Sequence, residues 1–552
     1  MPVRSTGCLT CRKRKIRCDE TRPACRKCTT HNVPCPGYTQ QKGGLEFRDQ
    51  THFTVQRANE QYRVKATSPS ATSQSRRASS GNTPDSCVGD WGSLDFSDTL
   101  VPYLPSPQSI CSPGANRDGI YNTFLDVYVP KDPGRPGPQS EHFTFYELMA
   151  TMPDRSPALT ESMDALSLVA VGSIHKDQQL LKQSVSVYGR ALRELRRAIA
   201  QKDFMHDDQV LASIAVLTQC ELFDEISQLN KGWQNHTQGA LQLITARGPE
   251  RLQSDLALLI FMSMRHAAFN LGLISRKASP FAKTSWRDVS DRTPTQDSST
   301  RFYNIAFEVP GLLERYDELD DEPEPIISDI DRLLADCGSL ETRLRSWYSH
   351  FHAQLLQSRG MTYQSLPISS FAPFCESVTE PTLPSAFRFS NFMIAYLHSL
   401  YWMSMFYLRR ATQGLHMIRN QLDNDWLPDN EHIVHEDEIV MYILNMMQCF
   451  PFFCEPISSD AGHIGIFLPM RTAAFYFREK SQWQYMKWIG QVRDNVFNKG
   501  LSPPNVGDPK GYKSQQSRTR TVRHGASPAL AKHYGSDSST LGHSPASMPS
   551  LG

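Results

Sequence analysis

Six cysteines fall within the first 35 residues of this 552-residue chain: Cys8, Cys11, Cys18, Cys25, Cys28 and Cys35. The first three are spaced C-x2-C-x6-C, and the last three repeat that spacing 17 residues later. A segment this short buries too little apolar surface to fold on a core of its own, so the cysteines must organise it. Residues 1–7 lack the apolar stretch of a secretory signal, and basic residues follow them. Metal thiolates are therefore expected rather than disulfides. A structural zinc takes four ligands in a tetrahedron. Six thiolates make one closed site with two sulfurs left over, or two sites if two sulfurs are shared. Two tetrahedra need eight bonds, and six sulfurs supply eight when two of them bridge. The repeated spacing predicts a pseudo-twofold module and favours the shared arrangement. Metal binding then supplies much of the folding free energy.

Between Cys11 and Cys18 lies Arg12-Lys13-Arg14-Lys15-Ile16-Arg17. A cationic run directly after a metal ligand predicts a short helix pinned at its N-terminus, with Ile16 inward and the cations outward. Residues 1–41 contain nine Lys/Arg and two Asp/Glu, a balance of +7. Two zinc ions with six thiolates lower this by two, leaving about +5, which suits a polyanionic partner. In isolation the run would read as a solvated face or a nuclear-import signal. Beside the cysteines it points to DNA, because Arg and Lys donate to O6 and N7 of guanine in the major groove. Arg12, Lys13, Arg17, Arg26 and Lys27 suit phosphate contact, which sets orientation and affinity rather than sequence.

The stretch GCLTCRKRKIRCDETRPACRKCTTHNVPC resembles the Zn(II)2Cys6 binuclear-cluster family of fungal transcription regulators. All six cysteines match, as do the cations after the second cysteine and Pro23 in the joining loop. The resemblance implies two Zn(2+) per chain, with Cys8 and Cys25 bridging them. It implies double-stranded DNA as partner, with CGG-type triplets read by Arg14 and Lys15. His31 is expected at the surface, since six cysteines complete the cluster. Residues 42–66 have no heptad repeat of the kind a dimerising coiled coil needs. A monomer and a homodimer made by the C-terminal region both stay open, and no half-site spacing follows.

The domain organisation expected is a DNA-binding module over 1–41, a largely disordered linker over 42–118, a helical regulatory domain over 119–502 and a disordered basic, Ser/Pro-rich tail over 503–552. Residues 67–84 contain no Val, Ile, Leu, Met or aromatic, too little to offset ordering entropy. Ser79 follows Arg76-Arg77-Ala78, a context that suits a basophilic kinase. Residues 90–100 interleave acids with Trp91, Leu94, Phe96 and Leu100. They suit an activation segment contacting the transcription machinery, or a strap docked on the next domain.

The fold class expected is mostly α. Tyr188, Leu192, Leu195 and Ile199 recur at helical spacing, and Ile326, Ile330, Leu334, Cys337, Leu344 and Trp347 mark another amphipathic helix after an acidic loop at 317–324. Residues 209–223 and 256–271 read as buried helices, the first started by Asp207 and Asp208. Residues 392–408 carry no Asp, Glu, Lys or Arg and read as a buried core helix rather than a membrane span. No sustained period-two alternation predicts strands. Trp233-x2-His236-x2-Gly239-Ala240, Leu243, Arg247-Gly248-Pro249, Tyr188-Gly189-Arg190-Ala191-Leu192 and Ser285-Trp286-Arg287 resemble the fungal-specific transcription factor domain, which implies a helical regulatory region. His236 has no acidic partner at ligand spacing and is read as packing against Trp233; His432 and His435 are not in HExxH order. Cys220, Cys337, Cys375, Cys449 and Cys454 are read as small core residues. No nucleophile elbow or phosphate loop points to an enzyme. The reading is a nuclear, DNA-binding activator of RNA polymerase II transcription. The competing readings are a ligand-sensing helical protein and a protein-interaction module with a structural cluster.

Overall fold

The computed structural model describes residues 8–14, 18–19, 21, 24–31, 33–35, 113–131, 141–223, 232–292, 298–322, 325–380, 382–429 and 433–496. Lys15, Ile16, Arg17, Pro23, Ser79, residues 90–100, His432 and the tail from 503 lie outside them. The chain divides into two compact units, Met1–Asp49 and Gln50–Gly552.

In the first unit, α1 (Leu9–Lys13) and α2 (Arg26–Thr30) are single turns. The second unit begins its described part with α3 (Pro113–Tyr128), α4 (Glu141–Thr151), α5 (Pro157–His175), α6 (Gln178–Ile199), α7 (Asp208–Cys220), α8 (Gly232–Arg247) and α9 (Asp255–Ser275). There follow α10 (Ser298–Ala306), α11 (Glu308–Asp321) and α12 (Ile327–Arg359). Strands β1 (Gln364–Pro367) and β2 (Ser385–Arg388) come next, then α13 (Phe392–Leu422), α14 (Glu436–Gln448), α15 (Ser459–Glu479) and α16 (Trp483–Gln491).

The starts are chemical. Ser156, Asp177, Asp207, Ser254 and Asn391 each accept a first-turn backbone N–H through the side chain, satisfying donors with no intrahelical partner. Lys176 in the left-handed conformation (φ 55°) ends α5, and Asp177 begins α6 at once. The pair therefore folds back as a tight hairpin, closed by Arg190 and Glu161 at 3.1 Å.

The mostly α expectation holds, with one exception. Among the described residues β1 and β2 form a two-stranded antiparallel sheet, with Leu366 opposite Ala386. Four residues per strand are too few to leave an alternating signature. The buried stripe of α6 is Leu180, Ser184, Val187, Ala191 and Leu195; Tyr188, Leu192 and Ile199 sit at its half-buried edge. In α12 the buried positions are Ile330, Leu333, Cys337, Leu340, Leu344, Trp347, Phe351 and Leu355, each three or four residues after the last. Ile326 is exposed and lies before the helix, and Leu334 is half-buried. The acidic stretch from 317 is helical to Asp321, anchored by Asp317 on Arg276 at 2.7 Å. Cys220, Cys337 and Cys449 are buried, whereas Cys375 and Cys454 are only partly so.

α13 is the spine of the second half, packing against α11, α12, α14 and α15. Its first half is residues 392–408, whose side chains are almost all buried. Among the described residues the helix long and apolar enough to cross a membrane is α9, and 72% of its most apolar 18-residue stretch is buried in the protein. α12 and α13 run antiparallel, because Asp331 meets Arg419 (3.0 Å), Glu341 meets Arg409 (2.9 Å) and Tyr348 meets His398 (2.9 Å). Arg409, 7% exposed, bridges Glu341 and Glu438, and Arg345 closes the ring on the same two carboxylates at 2.8 Å. Breaking a buried ion pair from one side strands the opposite charge. Arg409→Ala is thus expected to destabilise the helical unit by about 3–5 kcal/mol, read as a lower urea midpoint.

Candidate metal centre and nucleic-acid interface

Each half of the first unit starts with a cysteine whose sulfur caps a helical turn. Cys11 N–H points to Cys8 Sγ (3.4 Å), and Cys28 N–H points to Cys25 Sγ (3.4 Å). The expected helix after Cys11 in fact begins at Leu9, because the Cys8 cap initiates the turn within the first ligand pair. Arg12 and Lys13 close α1, and Arg14 follows in a turn.

The sulfurs converge between the two turns. Cys8, Cys11, Cys18 and Cys25 bring their sulfurs within 4.8 Å of one another, and so do Cys8, Cys25, Cys28 and Cys35. Cys8 and Cys25 belong to both groups. Cys8 Sγ lies 3.7 Å from Cys25 Sγ and from Cys28 Sγ, and Cys11 Sγ lies 3.6 Å from Cys25 Sγ. A disulfide would need about 2.05 Å. A tetrahedron with Zn–S near 2.3 Å has edges of about 3.8 Å, so these separations fit thiolates sharing an ion. Cys8, Cys11, Cys25 and Cys28 are almost wholly buried, and Cys18 and Cys35 partly. Burial and crowding push the Cys11 thiol up to about 12 and raise Cys25 and Cys28 as well. A cation beside them is what favours their thiolate forms.

Two ties lock the halves together. Thr10 Oγ1 donates to the Pro34 carbonyl at 3.0 Å. Asp19 accepts the backbone N–H of Arg26 (3.1 Å) and faces that of Lys27 (3.5 Å), and the Thr21 hydroxyl donates to the same carboxylate. That hydroxyl, with the backbone donors, holds the Asp19 carboxyl down at about 2. Spacing did not single out Asp19, although an acid directly after a ligand in a strongly cationic segment was a usable signal. Asp19→Ala is expected to speed zinc loss to a chromophoric chelator by about tenfold, as second-layer losses around metals do. An unchanged release rate would assign the tie no role.

Lys13, Arg14, Arg26 and Lys27 are exposed, and none of their side chains forms an ion pair with a carboxylate among the described residues. The side chain of Arg12 and all of Lys15 and Arg17 lie outside the described part of the module. His31 is exposed at the end of α2 and outside both sulfur groups.

Residues 6–44 match the fungal Zn(2)-Cys(6) binuclear cluster domain, and residues 138–371 match the fungal specific transcription factor domain. The chain thus contains a segment similar to the DNA-binding module and a segment similar to the regulatory domain of fungal Zn(2)-Cys(6) transcription factors. Domains of this kind hold two zinc ions, and the two overlapping sulfur groups fit that stoichiometry. An uncharacterized protein of Emericella nidulans is 25% identical over 193 residues, 33% of this chain and 41% of its own. The transcriptional regulatory protein moc3 of Schizosaccharomyces pombe is 64% identical over 33 residues, 6% of each chain. The aspercryptin biosynthesis cluster-specific transcription regulator atnN of Emericella nidulans is 33% identical over 66 residues, 12% of this chain and 11% of its own. The matches thus span less than half the length of these relatives. No solved structure matches the chain.

The helical unit gives several of the motif residues a place. Trp233 is buried in α8. Arg247 is buried and reaches Asp208 at 2.7 Å, and Gly248 turns the chain at φ +80°, open chiefly to glycine. His236 does have an acidic partner, from outside its own helix. Tyr188 donates to Glu221 Oε1 (2.5 Å) and sits 2.8 Å from His236 Nε2, which is 3.6 Å from the same carboxylate. Glu221 is 15 residues away in sequence, beyond any local spacing rule. The contact ties α6 to the end of α7 and to α8.

Proposed function

We propose that this chain is a nuclear transcription regulator, an activator of RNA polymerase II transcription, that binds double-stranded DNA through its zinc cluster. The exposed, unpaired cations beside a buried sulfur core carry the reading. Bound zinc would cross-link each half-unit, held by Cys8, Cys11, Cys18 and Cys25 on one side and by Cys8, Cys25, Cys28 and Cys35 on the other. Arg14 and Lys15 contact guanine edges of a CGG-like triplet. Arg12, Lys13, Arg17, Arg26 and Lys27 contact phosphates and fix the approach. The helical domain regulates and does not catalyse. The relative named as a regulator of aspercryptin biosynthesis supports control of a single metabolic or biosynthetic gene cluster.

The test is selection of random double-stranded DNA by the zinc-loaded full chain near physiological salt. Enrichment of a CGG-type triplet is expected, and a second enriched triplet at fixed distance would add a homodimer. Salt-sensitive retention without any enriched sequence would overturn the assignment of base readers.

A further inference from the structure

A cavity of about 40 Å³, partly open to solvent, lies where α3, α4, α9, α10, α13 and α15 converge. Its walls are largely apolar, with Tyr128, Phe143, Met262, Phe392 and Ile464 among them. One end is polar. There His266 Nδ1 lies 2.7 Å from the Tyr396 hydroxyl and 3.2 Å from that of Tyr303, and both tyrosines line the cavity.

The hydrogen bonding fixes the character of that end. Asn270 Nδ2, a donor, sits 3.1 Å from His266 Nε2. With the amide nitrogen facing the ring, the neutral imidazole is the form that accepts at Nε2 and carries its proton on Nδ1. The Tyr396 hydroxyl faces both ring nitrogens, at 2.7 Å from Nδ1 and 3.2 Å from Nε2, and is hydrogen-bonded with Asn270 and Tyr303 as well. Burial raises the Tyr396 phenol, so its proton stays in place. Behind the histidine, Asn270 Oδ1 is buried with no partner among the described residues. No residue lining the cavity carries a formal charge when His266 is neutral. Such a site rejects ions, because nothing replaces their hydration.

We propose that this cavity binds the end of a small, neutral, mostly apolar molecule whose carbonyl or hydroxyl oxygen bonds the Tyr396–His266 group. One water needs roughly 10–15 Å³ of such space, so the enclosed part holds about three or four heavy atoms. The rest of the molecule extends through the mouth. This site belongs to the helical unit, and its occupancy does not depend on how the cluster reads DNA.

The experiment titrates the zinc-loaded full chain with 2-octanone and, separately, with octanoate at pH 8, read by saturation-transfer NMR. The ketone is expected to bind at least tenfold more tightly than the carboxylate. Ala461→Leu, which fills the cavity, should abolish ketone binding. Tyr396→Phe should weaken it about fivefold or more, and Met262→Ala, which enlarges the cavity, should preserve or strengthen it. Zinc content and melting temperature establish that each variant is folded, and Tyr396→Phe and Met262→Ala decide the matter if Ala461→Leu is not. Equal affinity for the two probes, ketone binding indifferent to these substitutions, or no ketone binding up to its solubility would each overturn the proposal.

Discussion

Replacing Cys25 with serine is expected to cost the cluster both zinc ions, whereas replacing Cys35 costs one. The asymmetry follows from the sulfur grouping. Cys25 belongs to both sets of four, and Cys35 to one. Without Cys25 each ion keeps three thiolates, and the central sulfur joining the two turns is gone. Without Cys35 the set Cys8, Cys11, Cys18 and Cys25 stays complete. Native mass spectrometry of the full chain should count zero and one zinc respectively, against two for the parent. Far-ultraviolet dichroism should barely change in either variant, because the helices lie almost entirely in the other unit. Cys8 should behave as Cys25 does, and Cys11, Cys18 and Cys28 as Cys35 does. Equal zinc loss from Cys25 and Cys35 variants would refute the shared arrangement.

The second large effect concerns the proposed base readers. Arg14→Ala with Lys15→Ala should remove about ten- to a hundredfold or more of preference for a CGG-bearing duplex over a scrambled one, since a good bidentate base contact is worth about 1–3 kcal/mol. Zinc content should not move. Lys27→Ala makes the contrasting case. Removing a phosphate ligand there should weaken both duplexes equally and flatten the salt dependence by about one unit of slope. Comparing the two variants in one salt series separates reading from holding. If the double variant weakened both duplexes alike, Arg14 and Lys15 would be phosphate ligands, and the readers would lie elsewhere on the module.

Much of this molecule was legible in the sequence because its strongest constraints are local. Six cysteines at repeated spacing announce their chemistry within 28 residues. Helix starts such as Asp207 depend on the next turn alone. What escaped depends on distance. The stripe of α6 is turned from the expected one because α5 and α7, its packing partners, decide which edge is buried. Glu221 reaches His236 only after two helices have folded beside each other. The strand pair is stabilised by Phe387 and Ala386 against neighbouring helices, not by a repeating pattern of its own.

The cysteine spacing is symmetric, but the ties around it are not. Asp19, one residue after Cys18, grips the turn of the opposite half; the corresponding position after Cys35 is Pro36, which has no carboxylate to offer. Likewise Arg12-Lys13-Arg14-Lys15 follows Cys11, while Thr29-Thr30-His31-Asn32 follows Cys28. The module therefore has a front and a back. A chain built with its two halves exchanged would keep every sulfur yet present its cations in the wrong order along the peptide, so the repeated spacing is an equivalence of metal ligands and not of the surfaces they carry.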